Sequence, residues 1–216
     1  MSRIVKPESL HLQAYNIIKK GILEGDYQPS ERVVEARMAD KLGISRGPVR
    51  EALRMLIQDG LLNYNDGFVR VYQPTVQDVV EIFQCRESLE TLAISLAIKH
   101  ISDEEQKQLA TNLKETSQAF ANDKSMELGK LDQQFHDIII TASKNKQLME
   151  LLDVIRTKIH YMRTSMVNGD FYPSFVEEHE RIYQILLEGN EEEAATIMKK
   201  HINKGLEGVL MHIDTK

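Results

Sequence analysis

The chain has 216 residues, of which 42% are hydrophobic and 28% charged, proportions that are ordinary for a globular protein. No apolar run approaches the roughly 20 residues that a membrane-spanning helix requires, the N-terminus lacks the apolar core of a signal peptide, and the single cysteine excludes an intrachain disulfide. The net charge is −6, but residues 1–72 carry 11 basic and 9 acidic side chains, against 16 and 24 in the remainder. We therefore expect a cytoplasmic protein without a membrane partner, in which only the N-terminal third suits a polyanion.

The first 72 residues are predicted to form three helices and a hairpin. Helical spacing of apolar residues, with Gly stop signals and Ser45 as an N-cap, predicts helices at about 10–24, 33–42 and 45–59. Asn65-Asp66-Gly67 then separates two short β-prone runs, a pattern typical of a two-stranded hairpin.

A tight turn at Gly43-Ile44-Ser45 joins the second and third helices, as in a helix-turn-helix. The second helix of that motif enters the major groove of DNA, led by its first residues. Arg46, Arg50 and Arg54 form a stripe along this helix, and arginine suits contacts with guanine and phosphate. On an ordinary amphipathic helix the same stripe would be a solvated face. The prediction of DNA binding therefore rests on the turn, the arginine-bearing helix and the hairpin together.

Residues 73–75 are predicted to link a DNA-binding domain, residues 1–72, to a second domain, residues 76–216. Pro74 breaks the preceding strand, and Thr75 can cap the helix that follows. Helices without any strand are predicted at about 76–99, 102–121, 124–142, 145–168, 173–188 and 190–212. The predicted fold is mainly α, with an N-terminal winged helix-turn-helix and a C-terminal all-α bundle of about six helices.

Four polar residues of the second domain occupy helix positions that should face the core: Asp132, His136, His179 and His201. Burial of an aspartate is costly unless the carboxylate is paired or coordinated. One carboxylate and three imidazoles would suit Zn²⁺, Ni²⁺ or Mn²⁺. The alternative is that each histidine is an ordinary core residue with a satisfied hydrogen bond, because spacing alone does not show that the three helices meet.

The sequence LGISRGPVREAL at residues 42–53 resembles the helix-turn-helix signature of GntR-family regulators, and residues 22–29 and 59–62 are similar to its flanks. The resemblance covers about residues 10–72. It implies that the residues in contact with DNA are Ser45, Arg46, Arg50 and the wing residue Gly67. Residues 63–66 lack the basic side chains often found in the family's wing, so we expect weak phosphate contacts there.

A GntR-type domain followed by about six helices resembles the FadR-type subfamily, whose second domain is the ligand-sensing FCD domain. The pattern of Asp132 and His136, then His179, then His201 is similar to the metal-binding version of that domain. The resemblance implies that these four residues bind a divalent metal and that Arg86 holds the carboxylate of an effector. The alternative for Arg86 is a salt bridge to Glu90, four residues further along the helix.

Three functions are compatible with these patterns. The first is a transcription repressor or activator, not an enzyme, that binds a palindromic operator as a homodimer and responds to a small organic acid bound near the metal. The second is a DNA-binding regulator with a purely structural metal, closed by four protein ligands. The third is a metal-dependent hydrolase, which the sequence disfavours because no general base stands out beside the ligands.

Overall fold

The computed structural model describes residues 9–166 and 174–213. These residues divide into two compact units, one ending at Gln73 and the other beginning at Pro74. The elements of the first unit are α1 (Leu10–Leu23), α2 (Glu35–Leu42), α3 (Arg46–Gln58), β1 (Leu62–Asn65) and β2 (Phe68–Val71). This order of elements is that of a winged helix-turn-helix, as the sequence predicts.

A glycine in the left-handed conformation joins α2 to α3. Gly43 has a φ of 65°, which a residue with a side chain adopts only at a cost of about 1–2 kcal/mol. Ser45 occupies the N-cap position of α3 as predicted, but its side chain accepts no capping hydrogen bond. The apolar side of α3 is buried and packs on α1 and α2 through Val49, Ala52, Leu53 and Leu56.

The hairpin that follows has the predicted two-residue turn. Asp66 and Gly67 both have positive φ, 52° and 78°, as a type I′ turn requires. Leu62 and Val71 lie opposite each other in β1 and β2, and each is 1% exposed. One face of the hairpin therefore belongs to the core of this unit, and the other lies at the surface.

The regular elements of the second unit are all helices in the residues described. Its elements are α4 (Val76–His100), α5 (Asp103–Ala121), α6 (Ser125–Ala142), α7 (Lys146–Met166), α8 (Phe175–Glu188) and α9 (Glu191–Ile213). The long helix α4 packs against α6, α7, α8 and α9, and α5 packs against α6 and α8. This arrangement places side chains of α4, α6, α8 and α9 around one buried site.

Capping boxes define the starts of two of these helices. The side chain of Thr75 accepts a hydrogen bond from the backbone of Asp78, whose carboxylate accepts one in return, and Ser102 and Glu105 repeat the pattern. All predicted helix bounds agree with the structure within two residues, apart from positions 167, 168 and 173, which lie outside the described residues. Within the described ranges, no helix is both long enough and apolar enough to cross a membrane.

Candidate functional site

Four buried polar side chains converge between α6, α8 and α9. Asp132 and His136 come from α6, His179 from α8 and His201 from α9, and each is at most 2% exposed. One ligand atom of each residue lies within 4.8 Å of the ligand atoms of the others. The structure thus brings together the four residues that the sequence predicts as metal ligands.

The spacing of these atoms suits a shared cation. Nε2 of His201 lies 3.3 Å from Nε2 of His179 and 3.3 Å from Nε2 of His136. Oδ1 of Asp132 lies 3.4 Å from Nε2 of His179 and 3.7 Å from Nε2 of His136. Ligands that bind a tetrahedral zinc ion at about 2.0–2.1 Å lie about 3.3 Å from one another. Both the distances and the donor types therefore fit a divalent metal.

Carboxylates contact the Nδ1 atoms of two of the three histidines. Nδ1 of His136 contacts Oε2 of Glu90 on α4, and Nδ1 of His201 lies 3.0 Å from Oε2 of Glu178 on α8. A carboxylate at one ring nitrogen holds the proton there and leaves the other nitrogen to bind a metal. Lys204 approaches the second oxygen of Glu178 at 2.5 Å and so helps to fix that carboxylate.

Neither carboxylate was predictable from the sequence as a partner of the cluster. Glu178 is adjacent to His179 in the chain, yet it contacts His201 on another helix. The sequence spacing places Glu90 beside Arg86 only, yet Glu90 also contacts His136. Neither contact has a local signal, because both depend on how the helices pack.

Two aromatic rings pack against His179, the third histidine of the cluster. The ring of Phe135 stacks on that of His179 with centroids 4.1 Å apart, and the ring of Phe175 lies 4.5 Å away at a tilt of 54°. These contacts restrict the orientation of the imidazole. They help to keep Nε2 of His179 directed at the cluster.

Arg86 and Glu90 form a buried ion pair beside the cluster. Nε of Arg86 donates to Oε1 of Glu90 at 2.6 Å, one turn further along α4. The salt bridge that is the alternative to a ligand role for Arg86 is therefore present. Nη1 of Arg86 is also buried, and among the described residues it has no hydrogen-bond partner. The ion pair thus leaves part of the guanidinium's donor capacity unused.

The surroundings of Glu90 keep it ionised. Burial raises the pKa of its carboxyl group, but the charges and hydrogen bonds of Arg86 and His136 outweigh that effect. The pKa of Glu90 consequently lies well below its ordinary range. Glu90 is therefore a negative charge held inside the bundle.

A cavity of about 390 Å³ adjoins the ion pair. Arg86, Glu90 and His136 line it, together with Arg156 and apolar side chains such as Leu152. Its volume lies in the range of about 300–1,000 Å³ that is usual for small-molecule pockets. His136 belongs to both the cavity wall and the four-residue cluster, so a molecule in the cavity would lie beside the candidate metal ligands.

Two predicted DNA-binding arginines of the first unit differ in their surroundings. Arg46 is the first residue of α3, is exposed, and forms no ion pair with the described residues. Arg50 donates from Nε and Nη2 to the two carboxylate oxygens of Glu35 on α2, both at 2.9 Å. Such a two-point contact fixes the plane of the guanidinium. The hydrogen bond from Arg50 lowers the pKa of Glu35 below its usual range, so the pair is ionised at neutral pH.

The other two predicted DNA contacts are also at the surface. Ser45 directly precedes α3, and Gly67 lies in the turn between β1 and β2. Both residues are exposed, as are Arg46 and Arg50. The sequence does not predict a role for Glu35, since its contact with Arg50 joins two helices.

Comparison with known families identifies both units. The family described as "Bacterial regulatory proteins, gntR family" matches residues 10–68, and the FCD domain matches residues 81–204. The two matched families together define a transcription regulator with a GntR-type DNA-binding unit and an FCD domain. The chain belongs to the GntR family and contains an FCD domain, which confirms the family predicted from the sequence.

Relatives in several bacteria share most of the chain. It is 36% identical to the HTH-type transcriptional regulator YdhC of Bacillus subtilis (strain 168), over 95% of this chain and 93% of that protein. It is 29% identical to the Nta operon transcriptional regulator of Aminobacter aminovorans, over 85% and 87% of the two chains. The matched families and relatives are transcription regulators and not enzymes, in agreement with the sequence analysis.

Solved structures show the same fold. Escherichia coli McbR/YncC covers 95% of this chain and 99% of its own with a TM-score of 0.81, at 20% sequence identity. A putative GntR regulator from Rhodococcus sp. RHA1 covers 93% and 97% with a TM-score of 0.77, at 24% identity. These likenesses confirm the predicted fold class, a winged helix-turn-helix followed by a helical domain.

Proposed function

We propose that this DNA-binding regulator changes its affinity for an operator when a small carboxylate binds beside a divalent metal in the FCD domain. The observation that carries the proposal is the position of His136, which belongs to the four-residue cluster and lines the cavity together with Arg86. Asp132, His136, His179 and His201 would hold Zn²⁺, Ni²⁺ or Mn²⁺. The bound ion would supply a Lewis-acidic anchor for the effector.

The charges that line the cavity favour an effector that depends on the metal. Arg86 is paired with Glu90, and Arg156 lies 3.3 Å from Asp137 and 2.5 Å from Asp153. The arginines therefore leave little uncompensated positive charge for an anion. A divalent cation would add that charge, while Nη1 of Arg86 would donate to the carboxylate.

On the DNA side, we propose contacts from Ser45, Arg46, Arg50 and Gly67. Operators of two-fold symmetry suit a homodimer, so we propose that two copies of the chain bind a palindromic site in the cytoplasm. Effector binding would then favour one arrangement of the dimer over another. The membership of the GntR family supports each of these proposals.

The test is binding to a labelled duplex that covers the region upstream of the protein's own gene, with and without a chelator and a panel of small carboxylates. We expect at least one acid to change the Kd about fivefold or more, and only in the metal-loaded protein. Arg46→Ala should weaken binding whether or not the acid is present. If no acid alters binding in the loaded protein, the sensor function is contradicted.

A substitution at Arg86 tests its role in the cavity. Arg86→Lys keeps the positive charge beside Glu90 but loses the forked geometry, so we expect a weaker response to the acid with unchanged metal content. Arg181→Lys is the matched control, because Arg181 is half exposed and pairs with Glu188 and Glu193 outside the cavity. A wild-type response in the Arg86→Lys protein would contradict the effector contact.

A second candidate is a purely structural metal, which is favoured by the presence of four protein donors that can close a tetrahedral shell. Substitution of Co²⁺ for the native ion separates the two functions. If the acid that alters DNA binding also changes the visible spectrum of bound Co²⁺, the ion has an effector-accessible position. If the metal raises the thermal midpoint but no acid changes either signal, the ion is structural.

A further inference from the structure

A short extended segment before α2 pairs with the wing through an isolated β-bridge, which the sequence did not predict. Arg32, which precedes α2, forms a β-bridge with Arg70 of β2. The backbone N–H of Val33 also donates to the carbonyl of Val69 at 2.9 Å. The segment around Arg32 therefore runs along the free edge of β2 and brings its side chains onto the wing.

The side chains of Arg32, Arg70 and Phe68 share the outer face of this sheet. Successive residues of a strand alternate between faces, so Arg70 and Phe68 lie opposite the face of buried Val71. Residues paired across neighbouring strands share a face, which places Arg32 with Arg70. The outer face of the wing therefore carries two guanidinium groups and one aromatic ring.

A cation–π contact holds Arg32 on this face. The guanidinium carbon of Arg32 lies 3.5 Å from the centroid of the Phe68 ring, and Phe68 is 38% exposed. A stacked guanidinium keeps its in-plane N–H donors available at its edge. Because the side chain is already ordered, less rotamer entropy is lost when those donors bind a ligand.

In the part of the chain that the structure describes, no acidic side chain neutralises these two arginines. Among the described residues, neither Arg32 nor Arg70 forms an ion pair, and Nη1 of Arg70 donates to the backbone carbonyl of Ser30 at 3.0 Å. Arg50 and Arg54 on α3, in contrast, are each held by a glutamate. The outer face of the wing therefore presents positive charge that remains available to an anion.

We infer that Arg32, stacked on Phe68, contacts a phosphate of duplex DNA beside the wing, and that Arg70 adds to the local positive charge. This inference rests on DNA binding by the first unit. Residues 63–66 contain no basic side chain, which is why the sequence predicts weak phosphate contacts at the wing. The charge comes instead from a residue before α2. A phosphate contact carries no sequence information, so it contributes equally to every duplex.

Equilibrium binding of the Arg32→Gln protein tests the contact at several salt concentrations. The probes are the duplex from the upstream region and a random-sequence duplex of the same length. We expect about fivefold weaker binding to both at low salt, and a salt dependence whose slope is smaller by about 0.9 for each bound chain. Lys107→Gln, at an exposed position of α5, is the control with the same change of charge and should leave both quantities unchanged.

The role of the ring is tested with Phe68→Leu, which keeps an apolar side chain but removes the π face. We expect a smaller loss of affinity than for Arg32→Gln, and no further loss when Phe68→Leu is added to Arg32→Gln. Equal losses in both backgrounds would show that Phe68 does not act through Arg32. Thermal midpoints of all variants establish that they are folded.

The outcomes separate the contact from the general function. If wild-type protein binds both duplexes and Arg32→Gln leaves the affinity and the salt slope unchanged, the phosphate contact is wrong, while DNA binding stands. If Arg32→Gln weakens only the duplex from the upstream region, Arg32 acts on sequence and the assignment to phosphate is wrong. If wild-type protein binds neither duplex, both the phosphate contact and the DNA-binding function are contradicted.

Discussion

The carboxylate of Glu90 contacts Nδ1 of His136, so α4, which provides none of the four candidate metal ligands, orients one of them. The other oxygen of Glu90 accepts a hydrogen bond from Nε of Arg86. One buried carboxylate thus joins the cavity arginine to the four-residue cluster. A neutral residue in place of Glu90 would leave the guanidinium of Arg86 uncompensated in the interior and would remove the carboxylate that contacts His136. These two changes have separable consequences.

We expect Glu90→Gln to lower both stability and metal affinity. The unpaired Arg86 should reduce the free energy of unfolding of the metal-free protein by about 3 kcal/mol or more. The loss of the carboxylate behind His136 should weaken metal binding at least about tenfold. Chemical denaturation measures the first effect, and competition with a chromophoric chelator measures the second.

The double variant Arg86→Gln/Glu90→Gln separates these effects. It removes both charges of the buried pair, so most of the lost stability should return. Metal affinity should remain low, because His136 still lacks its carboxylate partner. If the double variant binds metal as tightly as the wild type, Glu90 does not orient His136 for the ion.

Glu178 is predicted to act in the same way on His201. Its carboxylate lies 3.0 Å from Nδ1 of His201, but its side chain is 21% exposed, so its removal should perturb the fold less than a change at Glu90. We expect Glu178→Ala to lower metal affinity by about 10- to 100-fold with a small change in thermal midpoint. Glu177→Ala is the control, since Glu177 is its exposed neighbour. Equal affinities for the two variants would contradict the predicted role.

The inward positions of the four cluster residues were predictable from sequence because their signals are local. Asp132 and His136 are one helical turn apart, and His179 and His201 fall on inward positions of amphipathic helices. Helix bounds were predictable for a similar reason, since caps such as Thr75 lie within the segments that they terminate. Each of these features needs only a few neighbouring residues.

The contacts that the sequence did not predict join distant parts of the chain. Arg32 meets Phe68 only after the segment before α2 has paired with the wing, and Arg50 meets Glu35 only after α2 has packed against α3. Side-chain pairs of this kind follow from tertiary packing and have no characteristic spacing. They determine which charged groups remain available to DNA.

The pair between Arg50 and Glu35 predicts an effect on specificity. In Glu35→Gln, one negative charge is lost from the region near α3, so binding to random-sequence DNA should tighten. Arg50 is no longer held in one orientation, so the preference for the operator should fall. We expect the ratio of the Kd for a random duplex to the Kd for the operator duplex to decrease about three- to tenfold.

Glu51→Gln is the matched control for this change. It removes the same charge and frees Arg54, whose partner lies on the same helix. Nonspecific binding should tighten by a similar factor, while the specificity ratio should change little. If the two variants lower the ratio equally, Glu35 acts through its charge alone and does not position Arg50.

Substitution of glycine by alanine is expected to have opposite effects on stability at two positions in the helix-turn-helix. A Cβ added at Gly43 or at Gly47 meets no atom within 4 Å, so neither alanine is excluded by a clash. Gly43 has a φ of 65°, and Gly43→Ala should lower the free energy of unfolding by about 1 kcal/mol. Gly47 lies in α3, where alanine is the better helix former, so Gly47→Ala should raise it by up to about 1 kcal/mol. Native-state hydrogen exchange of the α2 and α3 amides measures both changes. A shift in the same direction for both variants would mean that the left-handed turn at Gly43 does not determine the stability of the motif.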